Sequence, residues 1–286
     1  MGLAVGDRAT TSDPGCHYVL GHAPEELARL ERQAAIFAAP TAAMLERCGI
    51  GRGHRVLDLG CGAGDVSLLL SDLVGSDGEV IGVDRAPEAV AMARGRAASQ
   101  GRRNVTFVES TIDALALPRV DGVVGRFVLM HQTEPAAVLE RAARLVCPGG
   151  VVAMMESHLD ALVPEWHSWP ASAAYTELLD VMMRTIKAAG GRTDMGLRLR
   201  GTFLDADLPD PEIAVHGAVA GRDAARLCHY MADSLRSMAD VARRLGIDTL
   251  PPARIDDLEQ RLLRDAARPG AVMNGPVVVT AWCRLP

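Results

Sequence analysis

A strand that ends in three alternately spaced glycines limits this chain more than any other feature. The apolar pair Val56-Leu57 leads into Asp58-Leu59-Gly60-Cys61-Gly62-Ala63-Gly64-Asp65, and an amphipathic stretch follows at once. Glycine permits backbone conformations closed to other residues and lets the chain approach a ligand without interference from a Cβ atom. A dinucleotide-binding loop would place its third glycine one residue later, where Asp65 stands and would repel a diphosphate. The spacing therefore departs from the loop that cradles a pyrophosphate.

Short apolar runs alternate with amphipathic stretches in the first half of the chain. Five strands are predicted, at residues 56–59, 79–83, 105–108, 122–127 and 151–155. Helices are predicted between them, at 65–74, 87–99 and 135–146, with a weaker helical connection at 111–116. Alternating strands and helices form right-handed βαβ units and a parallel sheet, with ligands outside the carboxyl ends of the strands. The fold class is therefore α/β, with a doubly wound sheet.

The second half predicts a helical cap inserted between the last two strands. A helix at 171–189 precedes a sixth strand at 212–216, and a last strand follows at 276–282. Two helices, at 222–245 and 255–267, fill the long connection between those strands, which exceeds an ordinary loop. The expected sheet thus has seven strands, mostly parallel, and the cap spans about residues 221–270.

The residues before the first strand predict two short helices. Pro24 suits the first position of a helix over residues 24–38, and Pro40 should end or bend it. Thr41 can then cap a second helix that runs to about Cys48.

The composition indicates which partners and which cellular compartment suit the chain. The chain has 30 basic and 36 acidic residues, a net charge of −6, which is a poor match for a nucleic-acid backbone. Six scattered cysteines without a CxxC pair argue against a zinc site or a disulfide framework and favour a reducing cytoplasm. The sequence shows neither a signal peptide nor an apolar run of about 18 residues, so we expect a cytoplasmic protein without membrane or metal.

The glycine loop also resembles motif I of the class I S-adenosylmethionine-dependent methyltransferases, which reads acidic-x-Gly-x-Gly-x-Gly. The resemblance extends over about residues 50–156 and includes Pro148-Gly149-Gly150 before the fifth strand. It implies S-adenosylmethionine as the cofactor and a doubly wound methyltransferase sheet. In that family an acid at the end of the second strand, here Asp84, accepts hydrogen bonds from both ribose hydroxyls.

The resemblance implies a set of cofactor-binding residues at the strand ends. Thr111 and Ile112 occupy the adenine-edge positions, with Asp113 as the alternative. The fourth strand ends in Gly125-Arg126-Phe127-Val128 instead of the Asn/Asp-Pro-Pro-aromatic motif of nucleic-acid amino methyltransferases. The complete implied set is Tyr18, Asp58, Gly60, Cys61, Gly62, Asp84, Arg85, Thr111, Ile112, Arg126 and Phe127.

The leader Tyr18-Val19-Leu20-Gly21-His22, with Glu26 and Gln33, is similar to that of a bacterial small-molecule, natural-product branch of the family. In that branch the leader folds over the cofactor. The resemblance therefore implies that residues 1–50 form an N-terminal helical lid on a methyltransferase domain at 51–286.

His131, after the fourth strand, is the candidate catalytic base, because an unperturbed imidazole titrates near neutral pH. The alternative is a loop or helix-capping histidine. The candidate acceptor pocket consists of Met130, His158, Trp166 and Trp169, with Glu156 and His167 nearby in the sequence. Each of these side chains could instead serve packing or lie at the surface.

The expected activity is transfer of a methyl group from S-adenosylmethionine to an oxygen, carbon or nitrogen of a small, apolar metabolite. Two alternatives stay open at this point. The chain could bind the cofactor while catalysing a cyclisation or rearrangement, or it could be a non-catalytic binding module. A homo-oligomer is also left open.

Overall fold

The computed structural model describes residues 25–161, 163–247 and 251–286, and one eight-stranded sheet forms its centre. The strands are β1 (Arg55–Leu59), β2 (Glu79–Asp84), β3 (Val105–Glu109), β4 (Val120–Arg126), β5 (Val146–His158), β6 (Ser168–Trp169), β7 (Glu212–Ala220) and β8 (Val272–Arg284). Their order is β3-β2-β1-β4-β5-β8-β6, with β7 paired to β8. β1 to β5 are parallel, whereas β8 runs antiparallel to β5, β6 and β7. The predicted doubly wound sheet is confirmed, and the two-residue β6 is its one addition.

Helices cover both faces of the sheet. They are α1 (Glu25–Arg47), α2 (Asp65–Val74), α3 (Pro87–Ser99), α4 (Pro135–Arg144), α5 (Pro164–His167), α6 (Ala173–Ala188), α7 (Met195–Asp205), α8 (Ala224–Arg244) and α9 (Pro252–Ala266). As the sequence predicts, two helices, α8 and α9, lie between β7 and β8 in the chain. Apolar side chains of α9 are buried, namely those of Ile255, Leu258 and Leu262. No helix within the described ranges is both long and apolar enough to cross a membrane.

The prediction of two separate N-terminal helices is wrong, because α1 continues through Pro40. Proline has no N–H for the Ile36 carbonyl and normally disrupts a helix interior. Here the helix is held on both sides of Pro40 by burial of Phe37 and Met44. Thr41 is not a cap: its hydroxyl donates to the Phe37 carbonyl at 2.7 Å, within the same helix.

Two further connections differ from the sequence prediction. Residues 111–116 contain a turn where a weak helix was expected. Helix α7 was not predicted at all, since glycines interrupt its apolar pattern. One of them, Gly196, packs so closely on the sheet that an added Cβ would lie 2.8 Å from Cγ2 of Val279. Close packing, and not helix propensity, therefore explains a glycine inside α7.

Tyr175 provides a test of how the chain after β5 is held to the sheet. The residue lies on α6 and is fully buried, and its hydroxyl donates to the Asn274 carbonyl on β8 at 2.7 Å. We expect Tyr175→Phe to lower the free energy of unfolding by about 1 kcal/mol, because the part-buried Asn274 carbonyl loses its donor. Urea titration measures this loss. Trp169→Phe, at a side chain that is 74% exposed, is the control and should change stability by less than about 0.5 kcal/mol. Equal stability of Tyr175→Phe and the wild type would contradict this assignment.

Candidate cofactor and acceptor site

A cavity of about 710 Å³ opens at the carboxyl ends of β1, β2 and β4. This is the edge where doubly wound sheets bind ligands. The cavity reaches from the glycine loop to α1, α6 and α8, so that its walls come from both halves of the chain. From the predicted cofactor set, its walls include Asp58, Gly60, Cys61, Gly62, Asp84, Arg85, Thr111, Ile112, Arg126 and Phe127. Tyr18 lies outside the described residues.

The loop between β1 and α2 is fixed by backbone hydrogen bonds and by glycine conformation. The N–H of Cys61 donates to the Val83 carbonyl on β2 at 3.0 Å. Gly62 has a φ of 52°, and no other atom lies within 4 Å of the position that a Cβ would take. Gly64 has a φ of 85°, and its Cβ would lie 3.0 Å from the Phe107 ring. The loop thus leaves open space on the cavity side at Gly62 and packs tightly at Gly64.

The carboxylate of Asp84 joins this loop to the end of β2. One oxygen accepts a hydrogen bond from the N–H of Gly62 and the other from the N–H of Ala86, both at 2.9 Å. These two bonds fix the plane of the carboxylate. An ionised carboxylate has about four acceptor positions, so two stay available for hydroxyl groups in the cavity.

Asp58 lies below the loop and is almost fully buried. It accepts a hydrogen bond from the hydroxyl of Ser67 at 2.5 Å. Burial raises the pKa of Asp58 to about 7, against the opposing effects of this hydrogen bond and of Arg126. The buried acid therefore fits a role in orienting the loop from beneath.

Asp65 lies between two arginines from distant parts of the chain. Nη2 of Arg96 on α3 is 2.7 Å from Oδ1 of Asp65, and Nη1 of Arg96 donates to the Ala63 carbonyl at 2.7 Å. On the other side, Nη2 of Arg126 is 3.7 Å from Oδ2 of Asp65, and its Nη1 donates to Oγ1 of Thr41 at 3.2 Å. Arg96 therefore stabilises the glycine loop through both the Asp65 carboxylate and the Ala63 carbonyl.

Three aromatic side chains, here called the aromatic cluster, join α1, the end of β4 and α8. The ring of Phe37 meets that of Phe127 edge-on at 5.0 Å and that of Tyr230 at 6.1 Å. Phe127 has a φ of 59°, which is uncommon for a bulky residue. Backbone conformations of this kind are often found at functional sites. Sequence reasoning missed Phe37 and Tyr230, because nothing in a single sequence pairs aromatics so far apart.

Glu156 positions the loop after β4. Its buried carboxylate accepts hydrogen bonds from the N–H groups of Val128, Leu129 and Met130, at 2.9, 2.7 and 3.2 Å. Burial raises the pKa of Glu156 to about 7, although these three donors lower it in part. Glu156 is not among the residues that line the cavity. It acts from behind the wall, by fixing the segment that carries Met130 and His131.

His131 lies in the cavity wall beside Met130. Burial, assisted by the charge of Arg85, lowers the pKa of His131 from 6.5 to about 4. The imidazole is consequently neutral at physiological pH. A neutral imidazole can accept a hydrogen bond or a proton, and the lowered pKa makes it a weaker base than an exposed histidine.

The two predicted adenine-edge residues and their alternative all lie in the cavity wall. The carboxylate of Asp113 forms an ion pair with Arg141 at 2.5 Å, so its charge is already partly matched. Thr111 and Ile112 carry no such charge. This arrangement favours Thr111 and Ile112 for contact with a neutral heterocycle.

The side of the cavity away from the glycine loop is mainly apolar and rich in methionine. Its apolar side chains beyond the aromatic cluster are Leu30, Met130, Leu159, Met182, Ile186, Met231 and Met238. Polar groups there come from Arg29 and Gln33 on α1, whose side chains hydrogen-bond at 2.9 Å, and from Ser157 and Ser234.

Three residues of the predicted acceptor pocket are not brought into this cavity. Trp166 and Trp169 are 53% and 74% exposed, because α5 and β6 carry them to the surface beside the start of β8. His158 follows Ser157, which does line the cavity, and neighbours in a strand point to opposite faces. His158 accordingly packs against Gly196 of α7, where an added Cβ would lie 2.9 Å from its Cβ. Of the predicted pocket, only Met130 lines the cavity.

The structure shows no candidate metal site within the ranges that it describes. No group of three or more His, Cys, Asp or Glu side chains there could hold a metal ion.

The fold, the glycine loop and Asp84 define a class I S-adenosylmethionine-dependent methyltransferase. Residues 50–196 match the family described as "Methyltransferase domain", and the chain belongs to that family. Its cofactor is S-adenosylmethionine. The site fits this molecule, because open space at Gly62 lies beside a carboxylate with acceptor positions left for two hydroxyls.

Individual relatives resemble parts of the chain. It is 33% identical over 123 residues to the ubiquinone/menaquinone biosynthesis C-methyltransferase UbiE of Coxiella burnetii, covering 42% of this chain and 49% of that protein. The chain thus spans about half the length of the curated relatives it matches. In three dimensions it is similar to the YcgJ protein of Bacillus subtilis, with a TM-score of 0.53, 19% identity, and 86% and 98% of the two chains covered. It is also similar to the [4+2]-cyclase SpnF, with a TM-score of 0.50, 20% identity, and 87% and 81% covered.

The role of Asp84 can be tested by cofactor-product binding. We expect Asp84→Ala to weaken binding of S-adenosylhomocysteine by about ten- to a hundredfold, because a charged acceptor for two hydroxyls is removed. Isothermal titration calorimetry measures this change. Glu109→Ala is the matched control, since Glu109 ends β3 directly opposite Asp84 in the sheet and does not line the cavity. Unchanged affinity of a folded Asp84→Ala variant would contradict the assignment.

The depressed pKa of His131 predicts a defined dependence of stability on pH. Below pH 6.5 the unfolded chain takes up a proton that the folded protein takes up only near pH 4. Stability is therefore lost as pH falls through this window, by up to about 3 kcal/mol relative to a His131→Asn variant. Urea unfolding of both proteins between pH 7 and 4 measures the difference, and NMR titration of the imidazole gives the pKa directly. Parallel pH profiles of the two proteins would show that the folded-state pKa is not depressed.

Proposed function

We propose that this protein transfers the methyl group of S-adenosylmethionine to a small, apolar acceptor. One observation carries the proposal: the cavity continues without a break from the glycine loop and Asp84 to the methionine-rich walls of α6 and α8. A ligand at the loop and an apolar molecule beside Met182 and Met238 would occupy the same continuous cavity. A shared cavity of this kind is what a direct transfer between two small molecules requires.

Residues at the strand ends would hold the cofactor. Asp84 would accept hydrogen bonds from the two ribose hydroxyls, and Thr111 and Ile112 would contact the adenine edge. Backbone groups of Gly60 to Gly62 would contact the amino-acid portion, with Asp58 orienting them from below. When bound, the cofactor supplies a methyl group on a positively charged sulfur that is already a good leaving group.

The main contribution of the protein is to orient the acceptor and exclude water. Alignment of this kind can lower a barrier by about 7 to 11 kcal/mol, more than a general base usually provides. The aromatic cluster and Met130 would form the walls at the point of transfer. Glu156 would keep Met130 and His131 in place through its three backbone hydrogen bonds.

His131 is the candidate base. Its imidazole is neutral at physiological pH and lies in the wall next to Met130. When the acceptor is a phenol or an enol, His131 would accept its proton. The same residue would instead orient an acceptor that loses no proton before the transfer.

The nature of the acceptor compartment favours a metabolite over a macromolecule. Its walls are rich in methionine and aromatic side chains, and the chain carries a net charge of −6. The relative UbiE is named for methylation at carbon in ubiquinone and menaquinone biosynthesis. A hydroxylated apolar ring would suit the compartment here, with oxygen or carbon as the target atom. A lid formed by residues 1–50, a cytoplasmic location and a place in natural-product biosynthesis stay predictions from the sequence.

Methyl transfer is tested with S-adenosylmethionine carrying a deuterated methyl group and a panel of apolar phenols, quinols and enols. The proposal predicts S-adenosylhomocysteine and an acceptor that has gained the labelled methyl group, both measured by mass spectrometry. Isomerised acceptor without S-adenosylhomocysteine would instead support a cyclase or rearrangement enzyme. Cofactor binding without any change in the panel molecules would favour a binding module.

Substitution of His131 separates base catalysis from orientation. If His131 accepts the proton, His131→Ala should reduce turnover by about a hundredfold or more and leave S-adenosylhomocysteine affinity nearly intact. Steady-state kinetics and calorimetry on the same preparation measure both quantities. His158→Ala is the matched control, because that histidine packs outside the cavity and its loss should leave turnover within about threefold. A reduction of less than about tenfold for His131→Ala would reject the base role.

A further inference from the structure

Strand β7 forms an open edge of the sheet. In the described part of the chain it pairs with β8 alone. Ile213, Val215 and Val219 lie on one face of β7 and are 43%, 62% and 66% exposed. Val215 lies opposite Val279 in the ladder, and Val279 is covered by Gly196 of α7. Helix α7 therefore covers β8 on this face and leaves the apolar side chains of β7 exposed.

This edge lacks the features that usually prevent one strand from pairing with another. Proteins protect open edges with lysine, proline, bulges or very short strands. β7 is nine residues long and contains neither lysine nor proline. The β7–β8 pairing contains one β-bulge, and the bulged residue belongs to β8. Gly217 pairs with Val277 and Val219 with Asn274, so β7 advances by two residues where β8 advances by three. The outer edge of β7 is therefore regular and suited to a further strand.

The sequence of β7 is complementary to itself in one antiparallel register. A two-fold axis at Gly217 places Val215 of one copy opposite Val219 of the other, on the apolar face. The same register brings Glu212 towards Arg222 of the second copy at both ends of the pairing, where Arg222 lies in the turn that follows β7. Both charged side chains are exposed, and neither forms an ion pair within the described ranges. Opposite charges that come together at an interface favour the association, whereas like charges oppose it.

Gly217 at the centre supports this register. No heavy atom lies within 4 Å of the position that its Cβ would take, so the space beside it is open. Glycine inside a strand often marks a place where another backbone approaches closely.

We propose that β7 pairs with β7 of a second copy of this chain, so that one continuous sheet runs through a two-fold symmetric dimer. Val215 and Val219 of the two copies cover each other on the face next to α7. The two Glu212–Arg222 pairs, at the ends of the pairing, favour this register. This dimer is independent of the proposed methyl transfer, since the edge of β7 does not line the cavity.

Charge exchange tests the pairing in sedimentation velocity experiments at micromolar protein concentrations. The wild type should be a dimer, and Glu212→Arg or Arg222→Glu alone should each weaken dimerisation by about tenfold, because like charges then come together at both ends of the pairing. The double variant Glu212→Arg/Arg222→Glu should return to within about threefold of the wild type. Val215→Lys should also favour the monomer, whereas Leu245→Lys, at the end of α8, should not.

A cysteine cross-link tests the register directly. Gly217→Cys should give a covalent dimer under mild oxidation, since each new thiol faces its own counterpart across the axis. Val215→Cys should cross-link much less, because that residue faces Val219. A monomeric wild type, including one whose β7 amides are protected from hydrogen exchange by its own chain, would overturn the proposal. A dimer unaffected by all these substitutions would also overturn it.

Discussion

The cofactor end of the site depends on the ion pairs that the buried carboxylate of Asp65 forms. This residue begins α2, forms an ion pair with Arg96 from α3, and lies 3.7 Å from Arg126 at the end of β4. Arg126 in turn donates to Thr41 on α1. Removing one partner of a buried pair usually costs about 3 to 5 kcal/mol, because the other charge is left without compensation. Four segments that are far apart in the chain therefore hold the glycine loop through one carboxylate.

The acidic residues around the cavity have different roles because their environments differ. Asp84 lies in the cavity wall and keeps acceptor positions available after bonding the Gly62 and Ala86 amides. Asp58 and Glu156 are buried, and burial raises the pKa of each to about 7. Both carboxyl groups accept hydrogen bonds from the protein itself. Asp58 accepts one from a hydroxyl, and Glu156 accepts three from backbone amides. One acid is thus suited to bind a ligand, and two are suited to fix the loops that surround it.

The cofactor end could be predicted from the sequence because its determinants are local. Glycine spacing and strand-end acids lie within short segments, so Gly60, Gly62 and Asp84 could be placed at the edge of the sheet where the cavity opens. The methionine-rich end of the cavity, where we propose that the acceptor binds, depends on packing between helices that are far apart in the sequence. Trp166 and Trp169 were predicted there from proximity to β5 alone, yet the chain turns away after Ser157 and exposes them. Phe37 and Tyr230 were missed because only the tertiary fold brings α1 against α8.

Helix α1 connects the two ends of the cavity. Through Thr41 it contacts Arg126 and hence the glycine loop, and through Phe37 it contacts both Phe127 and Tyr230. An ion pair between Arg32 and Asp233 fixes the same helix to α8. A substitution on α8 that alters the cavity wall would therefore also affect the packing of α1, and through α1 the glycine loop.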